Sequence, residues 1–98
     1  VHIDKLTDEG AKEWARISNN GQTARISGYA RTNQGEHFAE AYRAYSMGGN
    51  KRTGLRNLEP LSYTYMKIVF RNNSKYILPE GQHVGVDRFW DRYNPKGQ

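Results

Sequence analysis

A chain of 98 residues with a net charge of +5 is the size of one small domain or a portion of a larger one. Hydrophobic residues at 36% and charged residues at 26% allow folding around a thin core, with seven Tyr, three Phe and two Trp supplying much of the apolar area. The absence of Cys excludes disulfides and thiolate metal sites, and no apolar run reaches the ~18 residues of a transmembrane helix.

The opening residues Val1 to Lys5 are not a signal peptide, and the missing initiator Met points to a processed or excised fragment. Residues 7–18 read as a first helix. Thr7 is a good N-cap, and Asp8 and Glu9 follow where the helix dipole favours acids. Leu6 and Ala11 stand at staple positions, and Ala11, Trp14, Ala15 and Ser18 form an inward face. Asn19-Asn20-Gly21 is a stop. In residues 22–31, Ala24, Ile26, Gly28 and Ala30 alternate with Thr23, Arg25, Ser27 and Tyr29, which suits a short strand or an extended loop. A second helix is expected over 33–47, because Phe38, Ala41, Tyr42 and Tyr45 recur at helical spacing and Gly48-Gly49 follows.

Residues 48–58 read as a basic, Gly-containing loop. Residues 60–71 suit a helix, with Pro60 in its first turn and a stripe of Leu61, Tyr65, Ile68 and Val69. Their aromatic and β-branched content also suits a strand, with Asn72-Asn73-Ser74 as a hairpin loop into Lys75–Leu78. The tail from Pro79 is rich in breaks, and Val86, Phe89, Trp90 and Tyr93 mark a short amphipathic helix suited to docking on a parent domain.

The segment Gly28-Tyr-Ala-Arg-Thr-Asn-Gln-Gly-Glu-His-Phe-Ala-Glu-Ala-Tyr-Arg-Ala-Tyr45 resembles the third-ligand segment of zinc metallopeptidases of the anthrax lethal factor and Pro-Pro endopeptidase type. That family reads roughly Tyr-Gly/Ala-x-Thr-Asn-x-x-Glu-Phe-Phe-Ala-Glu-Ala-Phe. The resemblance implies that Glu36 is a zinc ligand, that Tyr29 faces the metal and hydrogen-bonds the oxyanion of the scissile carbonyl, and that Glu40 orients a ligand His. It also implies a mainly α fold: the C-terminal helical subdomain of a zincin-like metallopeptidase, with a short extended segment before the second helix, a helix after Pro60 and a loop-rich tail. His37 departs from the pattern, standing where an aromatic is usual, and reads as a packing or surface residue. The family's His-Glu-x-x-His motif, which supplies two zinc ligands and the general base, occurs nowhere in the chain. Zinc binding and peptide hydrolysis are therefore expected only in a complete parent domain, with the two-His helix coming from upstream sequence or another chain. Family members are secreted peptidases, toxin domains, and domains of phage or mobile-element proteins, so a delivered effector or a phage particle is the expected setting.

Each residue also has a plainer reading. Asn33 and Glu36 have the spacing of a capping box, Glu40 suits a solvated helix face, and Tyr29 suits an ordinary half-buried position. His2, His37 and His83 show no ligand spacing with one another. Two other functions stay open: a non-catalytic structural or interaction module derived from the same domain, and a small basic nucleic-acid-binding domain using Lys51, Arg52 and Arg56.

Overall fold

The computed structural model describes residues 5–71 and 73–79. Helices α1 (Asp8–Ser18), α2 (Gln34–Met47), α3 (Gly49–Leu58) and α4 (Pro60–Phe70) follow one another, with a 3-10 turn over Tyr29–Arg31 before α2. The described residues are thus mainly helical. The expected tail helix around Val86–Tyr93, and His2 and His83, lie outside them.

Helix α1 begins as its cap dictates: Thr7 Oγ1 accepts from Gly10 N–H at 3.0 Å. It ends at Asn19 in the left-handed region (φ 48°), where a short polar side chain is tolerated. Its inward face is Gly10, Ala11, Trp14, Ile17 and Ser18, so Ile17 takes the place expected of Ala15. Trp14 is fully buried and forms the centre of the core. Its ring lies 5.6 Å edge-on from Phe38 and 5.1 Å from Tyr65, which ties α1 to α2 and α4.

No strand forms in residues 22–31. A strand needs a neighbour to take its backbone N–H groups, and here those of Arg25 and Ile26 go to the Glu59 carboxylate, at 2.7 and 3.0 Å. The chain instead turns at residues 21–23 and buries Ala24 and Ala30.

Residues 49–58 are helix α3, not the loop that composition suggested. Gly48 and Gly49 both adopt positive φ, so the chain reverses within two residues of α2 and re-enters a helix. The sequence of α3 has little helical drive of its own, and tertiary contacts stabilise it. Leu55 is completely buried, and the Arg52 guanidinium lies 4.2 Å from the centre of the Tyr45 ring while its Nε–H donates to the Tyr45 carbonyl.

Helix α4 starts at Pro60, whose missing N–H costs nothing at this position. Its buried face is Ser62, Tyr65, Met66 and Val69. Leu61, expected inside, is exposed, and Ile68 is half-buried. The hairpin reading of 60–78 does not hold, because Leu6 and Ile77 form an isolated antiparallel bridge that brings the segment after α4 back along the start of α1. Thr7 N–H donates to the Tyr76 carbonyl at 2.8 Å and Leu78 N–H to the Lys5 carbonyl at 2.7 Å. Gly10 permits this approach, since a Cβ there would stand 2.8 Å from the Tyr76 carbonyl oxygen. The Tyr65 hydroxyl closes the seam by donating to the Gly10 carbonyl, and burial holds that phenol far above its ordinary pKa.

Candidate functional site: a loop laid along the first turns of α2

Asn33 starts α2 by accepting the Glu36 N–H at 2.9 Å. Two carboxylates, Glu36 and Glu40, follow one turn apart on the same face and are half-exposed. The 27–31 segment runs beside them. Ser27 Oγ–H donates to Glu40 Oε1 at 3.0 Å while accepting the Ala30 N–H, which organises the 3-10 turn. That turn carries Tyr29, a residue 60% exposed, near Glu36. Hydrogen bonding to the Glu36 carboxylate, its negative charge, and the more distant charge of Glu40 hold the Tyr29 phenol above its ordinary pKa. Tyr29 is therefore a protonated donor at neutral pH. Replacing Glu36→Gln should lower the Tyr29 pKa toward about 10, because the charge opposing phenolate formation is gone. A spectroscopic titration of Tyr29 checks this; an unchanged midpoint would mean that Glu36 does not govern the phenol.

Behind this face lies a buried polar cluster. His37, the residue after Glu36, is fully buried. Its Nε2 lies 2.6 Å from Glu59 Oε1 and its Nδ1 2.8 Å from Ser18 Oγ. Glu59, at the joint of α3 and α4, is 5% exposed and also accepts from Ser62 Oγ–H at 2.8 Å. Burial would push the Glu59 carboxyl up. The hydrogen bonds from His37, the Arg25 N–H and Ser62, with the charge of His37, outweigh that and hold it below the ordinary range. This network carries the site: Glu59 grips the loop at residues 25–26, and through His37 it grips the first turn of α2. No motif or spacing in the sequence singles out Glu59. Its only signal was an acid directly before a helix-starting Pro, which more often marks a plain cap. His37 is a packing residue, held by hydrogen bonds from both ring nitrogens as well as by contact with the Trp14 ring.

Ser18, His37 and Glu59 form a serine–histidine–carboxylate chain, yet Ser18 is fully buried and accepts the Gly21 N–H, so it has no access to a substrate. On α3, Lys51 and Arg56 are exposed and Arg52 is engaged with Tyr45. No helix among the described residues is long and apolar enough to cross a membrane.

The metal reading can be tested against the donors present. Among the described residues no three His, Cys, Asp or Glu side chains gather in a group able to hold a metal ion. A zinc peptidase site needs three protein ligands, so Glu36 and its neighbours do not make one by themselves. No protein-family model, curated protein or solved structure matches this chain.

Proposed function

We propose that this chain is the third-ligand portion of a lethal-factor-like zinc endopeptidase. Glu36 would be its one metal ligand, Tyr29 its hydrogen-bond donor toward the substrate carbonyl, and Glu40 a carboxylate that orients a ligand from elsewhere. The two-His helix would come from the parent polypeptide or a second chain. One observation carries the reading: Tyr29 and Glu36, seven residues apart, come together on a solvent-open face, with Glu40 one turn further on. A plain capping box accounts for the Asn33–Glu36 spacing but not for the tyrosine set against the carboxylate.

The reading predicts that the 98 residues alone bind zinc only weakly and hydrolyse no peptide. Calorimetric titration tests this, and tight one-to-one binding would overturn it. In the parent polypeptide carrying a His-Glu-x-x-His helix, Glu36→Ala should abolish tight zinc binding. Tyr29→Phe should keep the metal and lower kcat about 10²–10³-fold, the usual cost of one lost oxyanion donor. Full zinc and full rate in Glu36→Ala would reduce Glu36 to a capping residue.

A further inference from the structure

Three of the four exposed large hydrophobic side chains among the described residues, Met47, Leu58 and Leu61, stand on one face. The fourth, Tyr29, belongs to the site above. Two adjoining clefts make up that face, and Leu58 borders both. One, of about 250 Å³, lies between α2 and α3 and has Ile26, Ala44, Met47 and Leu55 in its walls. The other, of about 200 Å³, lies at the start of α4 beside Leu61 and Ile17. The same walls carry three exposed cations, Arg25, Arg43 and Lys51. None of the three forms an ion pair with a described carboxylate. The two acids that border the clefts are engaged: Glu40 accepts from Ser27, and Glu59 is turned inward under His37, Ser62 and two backbone N–H groups.

An apolar ridge whose walls carry three exposed, unpaired cations against two acids, one of them turned inward, fits one kind of occupant. We propose that this face binds a peptide segment of another polypeptide that combines large apolar side chains with carboxylates. The apolar side chains enter the clefts on either side of Leu58, and the carboxylates meet Arg25, Arg43 and Lys51. A second copy of the chain would bring the same positive charge to the contact and is disfavoured. The inference does not depend on the metal reading, and its variants leave Tyr29 and Glu36 intact.

The probe is a display library of random short peptides panned against the 98-residue chain. Enriched sequences should be rich in Leu, Ile, Phe or Trp together with Asp or Glu, and added salt should weaken their binding. Gly54→Leu places a side chain in the first cleft from a helical position where a Cβ meets nothing within 4 Å. It should weaken the selected peptides by at least about tenfold, as should Arg43→Glu combined with Lys51→Glu. Circular dichroism and the urea midpoint show whether Gly54→Leu keeps the fold; if it does not, the charge variants decide. No enrichment, enrichment of basic or uncharged sequences, or undiminished binding in the folded variants would overturn the proposal. Binding of phosphatidylserine vesicles or single-stranded DNA through these residues, without peptide enrichment, would overturn it in favour of a membrane or nucleic-acid surface.

Discussion

Glu59→Ala should destabilise the fold by about 3–5 kcal/mol, because it removes the shared acceptor of a buried hydrogen-bond cluster. Four donors converge on this carboxylate: His37 Nε2, Ser62 Oγ and the backbone N–H groups of Arg25 and Ile26. An alanine leaves the buried His37 and Ser62 donors without their acceptor, at about 1–3 kcal/mol each before relaxation, and frees the part-buried Arg25 and Ile26 N–H groups as well. Since small domains are stable by only about 5–15 kcal/mol, the variant should lie near the edge of folding. Urea unfolding measures it, and a loss below about 1 kcal/mol would show that the cluster is incidental.

The same residue sets an acid limb. Its pKa is depressed in the folded state. The stability it contributes is therefore complete above the unfolded carboxyl pKa of about 4.3 and is lost as pH falls through the lower folded value. Glu59→Gln keeps the shape and removes the titration, so its stability should vary less with pH below about 4 than that of the parent chain. Parallel acid curves for the two would assign the limb to other carboxylates. Because Glu59 holds both the loop that presents Tyr29 and the helix that presents Glu36, Glu59→Ala should also bring the Tyr29 pKa closer to its ordinary value.

Trp14→Ala should cost about 3–5 kcal/mol, the usual range for emptying a large aromatic from a core. Trp14 touches His37, Phe38 and Tyr65, with ring centres 4.8, 5.6 and 5.1 Å away, so the cavity would open against both α2 and α4. Its indole N–H also donates to the Gln34 carbonyl at 2.9 Å, in the turn of α2 that carries Glu36. Trp14→Phe separates the two effects. It keeps most of the packing and leaves that carbonyl without its indole donor, for about 1–2 kcal/mol. Equal losses in the two variants would place the energy in the hydrogen bond instead of the core.

Local chemistry written in the sequence foretold several elements. Thr7 and Asn33 are caps whose side chains reach the N–H three residues on, so the starts of α1 and α2 follow from residue type alone. Pro60 starts α4 for the same kind of reason. The juxtaposition of Tyr29 and Glu36 was expected only from the resemblance of residues 28–45 to a known segment.

Other features depend on contacts between residues distant in sequence. Helix α3 carries two glycines and no side-chain cap, and it exists because Gly48-Gly49 reverses the chain and Leu55 and Arg52 find partners. Residues 22–26 carry an alternating pattern yet form no strand, because the N–H groups of residues 22–24 close the turn after α1 and those of Arg25 and Ile26 are taken by a carboxylate 34 and 33 positions away. His37 and Glu59 each read as unremarkable alone. Only the packing of α1, α2 and the α3–α4 joint brings them to 2.6 Å with both side chains buried, where a charge must be satisfied by hydrogen bonds or not be there at all.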